Sequence, residues 1–157
     1  MVNLNNKYKA FSNLTRYFLI TGGRASGKSF AVSVLVLLLS FEKGHKILFT
    51  RYTMTSARLS IIPEFIDKIK NLGLLESFKI TNEGIVNIAT GSEIIFKGIK
   101  TSSGDQTANL KSLQGITTWI LDEAEELKKE EIFDTIDLSI REQSAQNRVV
   151  LIMNPST

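Results

Sequence analysis

Residues 22–29 read Gly-Gly-Arg-Ala-Ser-Gly-Lys-Ser, directly after the apolar run Tyr17-Phe18-Leu19-Ile20. Gly22, Gly27, Lys28 and Ser29 fit the pattern G-x-x-x-x-G-K-[ST], whose chemistry is phosphate binding. The glycines let the backbone curl so that N–H groups of Gly22, Gly23, Arg24, Ala25, Ser26 and Gly27 can face an anion. The N-terminus of the following helix assists. Lys28 supplies a point charge to the β/γ-phosphates, and the Ser29 hydroxyl is a ligand for Mg²⁺. Arg24 is the unusual member, a large cation inside a loop that wraps an anion. It can lie near the γ-phosphate as an arginine finger supplied in cis. Alternatively it pairs with Glu123 or Glu125 and holds the loop.

A magnesium ion at such a loop needs a carboxylate at the end of another buried strand. Thr118-Trp119-Ile120-Leu121-Asp122 provides one, with Asp122 expected to hold the metal through water. Glu123 follows and can polarise a water for in-line attack on the γ-phosphate, or it simply begins the acidic run Glu123–Glu126. Asn154 closes the last apolar run. Its amide can hydrogen-bond the γ-phosphate or attacking water, or serve only an Asn-Pro turn. No Asn-Lys-x-Asp follows the loop and no Asp-x-x-Gly occurs, which argues against a GTPase. The polar stretch 101–112 lacks the arginines of a small-molecule kinase lid. ATP hydrolysis is the reading that remains.

The elements that must position these residues follow from composition and periodicity. The chain has 157 residues, 43% hydrophobic and 22% charged, an ordinary globular balance expected to form one domain over 1–157. Cysteine is absent and His45 is the single histidine, so clustered thiolate or imidazole metal sites are excluded. A net charge of +3 permits nucleic-acid binding without arguing for it. The N-terminus lacks a secretory h-region, and the apolar stretch 30–41 is shorter than a bilayer span of about 20 residues. These features predict a cytosolic domain without a membrane role.

Residues 17–21 read as a fully buried strand, 29–43 as a helix apolar nearly all round, and 46–52 as a second buried strand. Leu59, Ile62, Ile66 and Ile69 recur at helical spacing over 55–71, with Pro63 starting a new turn or kinking the segment. Short β-prone runs over 78–99 predict an antiparallel hairpin or small meander, and 101–112 a loop. A strand over 117–121, a helix over 128–143 burying Ile132, Phe133, Ile136 and Ile140, and a strand over 148–153 complete the chain. This is an α/β fold with a mainly parallel sheet flanked by helices and an antiparallel β-hairpin insertion. The phosphate loop, Arg51, Asp122, Glu123 and Asn154 all fall at carboxyl ends of strands, so one edge of the sheet can collect them.

Taken together, Gly22–Ser29, Trp119-Ile120-Leu121-Asp122-Glu123-Ala124 and Met153-Asn154-Pro155 resemble the large subunit of bacteriophage terminases, and the likeness extends over most of the chain. These are ATPases that drive double-stranded DNA into preformed capsids. The resemblance implies a RecA-like, additional-strand P-loop NTPase core, with the Asn154 strand between the phosphate-loop and Asp122 strands. It puts Asn154 on the motif that couples hydrolysis to motion. Arg51 falls in the family's arginine-bearing strand-to-helix turn, where a nucleotide contact and a structural ion pair are both open. Lys111 matches a basic position that reaches a neighbouring subunit's ATP, although a lysine lacks arginine's bidentate fork; a solvated loop lysine is the other reading.

The resemblance further implies ATP and Mg²⁺, and double-stranded DNA, a portal protein and a small terminase subunit as partners in the cytoplasm of the bacterial host. Subunits would form a homo-oligomeric ring, with the isolated domain monomeric and weakly active. The family's C-terminal nuclease domain has no counterpart in residues 1–157, so the expectation is an isolated or truncated ATPase domain. Two other readings compete: a helicase or repair ATPase of similar core, and a nucleotide-gated assembly module with little turnover.

Overall fold

The structure, a computed structural model, describes residues 6–101, 104–105, 110 and 113–155. After a 3₁₀ segment, Asn6–Ser12, the chain forms β1 (Tyr17–Thr21), α1 (Lys28–Ser40) and β2 (Lys46–Thr53). One helical stretch follows: a turn α2 (Met54–Ser56), a π-helical segment Ala57–Ile61, and α3 (Ile62–Asn71). Then come β3 (Phe78–Ile80), β4 (Gly84–Asn87), β5 (Glu93–Thr101), β6 (Gly104–Asp105) and β7 (Thr118–Asp122). A 3₁₀ turn Ala124–Glu126, α4 (Glu130–Asp137) and β8 (Arg148–Met153) complete the chain.

These strands make one sheet in the order β1-β8-β7-β2-β5-β4-β3, with β6 pairing β5. Strands β1, β8, β7, β2 and β5 are mutually parallel, whereas β3, β4 and β6 run antiparallel to their neighbours. β8 therefore lies between the loop-bearing β1 and the Asp122-bearing β7, as the additional-strand core requires. Thr21 pairs with Met153 and Asp122 with Ile152 in register, which puts the ends of three strands side by side.

Alternation along the central strands divides the core in two. Ile47, Phe49, Ile120, Val150 and Ile152 join Val32 and Val36 of α1 and Phe65 and Ile69 of α3 in one cluster. Leu48, Trp119, Leu121 and Val149 join Ile132, Ile136 and Ile140 in the other. With both faces covered, β7 is buried at every position and reads as a continuous apolar run. Each fully buried Val, Leu, Ile or Phe contributes about 1.5–3 kcal/mol relative to exposure. The Trp119 indole donates to Thr50 Oγ1 at 2.9 Å, and that hydroxyl donates to the Ile120 carbonyl at 2.9 Å, so the ring's one polar atom is satisfied.

Several expectations need correction. β1 is an edge strand, with Leu19 64% exposed, because no strand covers its outer side among the described residues. The expected antiparallel hairpin is present as β3 and β4, and it continues the main sheet: β5 pairs antiparallel with β4 and parallel with β2, along Lys46↔Glu93 to Thr53↔Lys100. Part of the expected loop 101–112 is the two-residue strand β6. Leu59 is 78% exposed, and the buried face of the 54–71 stretch is Ala57, Ile61, Phe65 and Ile69. Pro63 has no N–H for the Leu59 carbonyl and its ring crowds that oxygen, so the turn ahead of it widens into the π segment.

The last helix ends at Asp137 instead of 143, although Ile140 is still buried. Arg16 closes it, donating to the carbonyls of Asp137 and Ile140, both at 3.0 Å, and to Asp137 Oδ1 at 2.8 Å. A cation at a helix C-terminus interacts favourably with the last carbonyls, here adding a donor to the Asp137 carbonyl, which also accepts the Ile140 N–H at 3.0 Å.

Candidate active site

The turn that leaves β1 has left-handed backbone at Ala25 (φ 60°) and Gly27 (φ 79°). A Cβ on Gly22 would lie 2.9 Å from Ser26 Oγ and 3.4 Å from Ser26 Cβ, so any larger residue there would press on the Ser26 side chain. The curl is fixed by Ser26 N–H to the Gly23 carbonyl at 3.3 Å and Ala31 N–H to the Gly27 carbonyl at 2.9 Å. No side chain caps α1, which leaves the first amides of this helix facing the loop without an internal partner. A helix start in that condition is a ready anion site.

Lys28 is buried at this helix start, and its ammonium donates to the Gly22 carbonyl at 2.6 Å, the Gly23 carbonyl at 3.0 Å and Asn154 Oδ1 at 2.8 Å. Three donors meet three acceptors. Asn154, one residue past β8, passes the contact on, its Nδ2 donating to Glu125 Oε1 at 3.0 Å. The phosphate loop, the β8 end and the acidic turn are thus joined by two consecutive side-chain hydrogen bonds.

Across the site, Arg51 Nε and NH2 both donate to Asp122 Oδ2, at 3.0 and 2.9 Å, and NH2 also lies 3.4 Å from Glu123 Oε1. NH1 donates to Ser60 Oγ at 2.7 Å. Of the two roles open to Arg51, the ion pair is the one its geometry occupies. Glu123 is a non-glycine residue in left-handed conformation (φ 55°, ψ 47°), the kind of local strain that concentrates at functional sites. Burial pushes its carboxyl above the ordinary value, and the charges of Asp122, Glu126 and Glu125 add to this, while Arg51 opposes it. A glutamate held so is a better proton acceptor near neutral pH.

Ser29 is half-buried at the second position of α1, and Arg24 is exposed. Arg24 has no hydrogen bond or ion pair among the described residues; Glu123 and Glu125, its alternative partners, are engaged by Arg51 and Asn154. Lys111 lies outside the described residues. Sequence reasoning missed two contributors. Ser60 comes from the π segment, which periodicity alone reads as plain helix. Glu125, expected at most as a partner of Arg24, instead accepts from Asn154, a contact that nothing in its spacing marks.

Residues 15–157 match the family model described as phage terminase large subunit. The chain belongs to that family. Its fold is that of terminase ATPase domains. The large terminase of a thermophilic bacteriophage superposes with a TM-score of 0.72 at 12% identity, over 96% of this chain and 37% of that one. The same phage's terminase in complex with ADP matches at 0.60 and 12% identity, over 87% and 33%. The HK97 bacteriophage large terminase matches at 0.70 and 17% identity, over 97% and 33%. The N-terminal domain of the DNA packaging ATPase from bacteriophage phi29 matches at 0.69 and 14% identity, over 95% and 78%. No curated protein sequence matches the chain. The chain spans about a third of the length of the two full large terminases, 37% and 33%. Among the described residues, no helix of this terminase domain is long and apolar enough to cross a membrane.

Proposed function

We propose that this terminase domain hydrolyses ATP with Mg²⁺ to move double-stranded DNA into a viral capsid. The observation that carries the reading is the Lys28–Asn154 contact, which joins a complete phosphate loop to the end of the strand flanking Asp122. In the assembled motor the domain works as one subunit of a homo-oligomeric ring in the host cytoplasm, with a portal protein and a small terminase subunit. The ADP complex of the thermophilic phage's terminase supports a nucleotide as ligand.

In this reading Lys28 exchanges Asn154 and loop carbonyls for β- and γ-phosphate oxygens, while amides of residues 22–27 and the α1 start hold the remaining phosphate charge. Glu123 accepts a proton from the attacking water. Arg24 has no competing partner among the described residues and is available to the γ-phosphate. Asn154, released by Lys28 and still held through Nδ2 by Glu125, offers Oδ1 as an acceptor to the attacking water.

The donor set fits magnesium. No group of three or more His, Cys, Asp or Glu able to hold a metal exists among the described residues. Mg²⁺ is ordinarily bound by one or two protein oxygens plus substrate phosphates and waters. The Ser29 hydroxyl and Asp122 Oδ1, the oxygen that Arg51 leaves free, would supply the protein share. Bound there, the ion would neutralise charge on the β- and γ-phosphates.

The test is Mg-ATP binding and phosphate release, with and without double-stranded DNA, for wild type, Lys28→Ala and Glu123→Gln. Lys28→Ala should lose nucleotide binding. Glu123→Gln should bind ATP normally and hydrolyse it about 10²–10⁴-fold more slowly. Equal hydrolysis by wild type and Glu123→Gln would overturn the assignment.

A further inference from the structure

Asn154 sits between a group that can only donate and one that can only accept. The Lys28 ammonium has no acceptor, so it must face the carboxamide oxygen, as it does at 2.8 Å. An ionised Glu125 has no donor, so it must face the amide nitrogen, as it does at 3.0 Å. Once Lys28 turns to a phosphate, only the Glu125 contact still tells the two ends of the carboxamide apart. Without it the amide can flip and present N–H₂ where the carbonyl oxygen belongs.

Glu125 makes this contact at a cost. It stands in the short 3₁₀ turn Ala124–Glu126, two residues beyond Glu123, and its Oε2 is buried without a hydrogen-bond partner among the described residues. An orphaned buried carboxylate oxygen loses hydration and gains nothing in return. A group that fold stability alone would not favour is explained by a geometric task. The same turn follows directly on Glu123, and Glu126 N–H donates to the Glu123 carbonyl at 2.9 Å, so Glu125 and Glu123 belong to one hydrogen-bonded turn.

We infer that Glu125 is a positioning residue that fixes the Asn154 carboxamide with Oδ1 toward the phosphate site and couples its place to the turn bearing Glu123. The inference rests on the hydrolysis reading for its consequence, but its geometric content can be read without turnover. Glu125→Met keeps the side-chain length and removes the acceptor, Glu125→Ala removes both, and Glu125→Gln keeps an acceptor for Asn154 Nδ2.

Each variant is compared with Asn154→Ala and the Glu125→Met/Asn154→Ala double variant by thermal melting, ATP affinity and single-turnover hydrolysis. In parallel, ¹⁵N NMR follows the Asn154 side-chain amide. Glu125→Met should melt near wild type, bind ATP within about threefold, and hydrolyse it roughly 10–10²-fold more slowly, the scale of a misplaced group. Glu125→Gln should stay slower than wild type, because its own amide can also turn and donate to Asn154 Oδ1 and so no longer tells the two ends apart. The double variant should be no slower than Asn154→Ala. The Asn154 amide resonances should shift or broaden in Glu125→Met and Glu125→Ala. Losses that multiply in the double variant, or a Glu125→Gln as fast as wild type, would overturn the inference. Unchanged Asn154 resonances in both Glu125→Met and Glu125→Ala would overturn it whether or not the wild type hydrolyses ATP. A wild type that hydrolyses nothing, with the Asn154 resonances shifting as expected, would defeat the hydrolysis reading alone.

Discussion

Arg51 grips Asp122 through a single oxygen, with Nε at 3.0 Å and NH2 at 2.9 Å from Oδ2. The two side chains are only 17% and 5% exposed, and Ser60 holds the guanidinium from the other side. The pair ties the end of β2 to the end of β7 and uses only one of the two Asp122 carboxylate oxygens.

Arg51→Ala would leave that carboxylate buried and unpaired. Breaking one side of a buried pair costs about 3–5 kcal/mol. At about 2–4 °C per kcal/mol for a domain of this size, the midpoint of thermal unfolding should drop by roughly 6–20 °C. Arg51→Lys should recover only part of it, since an ammonium cannot reach Asp122 and Ser60 together with the same fork. A melt of Arg51→Ala coincident with wild type would mean the pair contributes nothing to the fold.

Gly98 stands opposite Arg51 in the β2–β5 register. A Cβ there would lie 2.2 Å from Met54 N and 2.8 Å from Thr53 C, backbone atoms that cannot swing aside. Gly98→Ala must therefore push the β2 end away from β5 and carry Arg51 with it. It should lower the urea midpoint by an amount equivalent to about 3 kcal/mol, the upper part of the range for overpacking. Gly23→Ala is the control: its Cβ would meet nothing within 4 Å, and its cost should stay within about 0.5 kcal/mol. Equal midpoints for the two variants would show that β2 has room to move.

What the sequence disclosed and what it hid divide along physical lines. The glycine spacing at 22–29, the apolar strand ending in Asp122 and the strand ending at Asn154 are local signals, and each stands where periodicity put it. Their convergence follows from parallel strands with ends on one edge. Leu59 misled because a proline four residues later changes the helical period that the pattern assumed. β1 misled because an apolar run does not state how many neighbours it has. The Asn154–Glu125 contact is set by the angle at which a 3₁₀ turn leaves β7, and no residue spacing encodes that angle.

Glu142 offers a pH-dependent test away from the site. Its Oε1 accepts the N–H groups of Gln143 at 2.9 Å and Ser144 at 3.1 Å in the turn before β8. Hydrogen bonds from Ser144 first, and then Gln143, hold its carboxyl below the ordinary glutamate value of 4.5. The charged form is thus the one the fold favours. Its contribution is present above pH 4.5 and is lost as pH falls through the lowered folded value. Glu142→Ala should be less stable than wild type at neutral pH, and the gap should close in acid. Urea titrations at several pH values check this; a gap unchanged from pH 7 down to about pH 3 would exclude ionisation as its source.

Arg24 is the loop residue whose loss should separate catalysis from folding most cleanly. It is exposed and free of ion pairs among the described residues, so Arg24→Ala should change stability by no more than about 0.5 kcal/mol. Lys28 retains its three contacts in that variant, and ATP should still bind. If the guanidinium neutralises charge developing on the γ-phosphate, turnover should fall by about 10³-fold, the lower end of the range for arginine fingers. Arg24→Lys should recover little of it, because a point charge does not replace a fork that bridges two phosphate oxygens. The measurement is ATP turnover by the assembled motor alongside nucleotide affinity and a thermal melt. Normal turnover in Arg24→Ala would remove Arg24 from the chemistry and leave Lys28 as the loop's only catalytic cation.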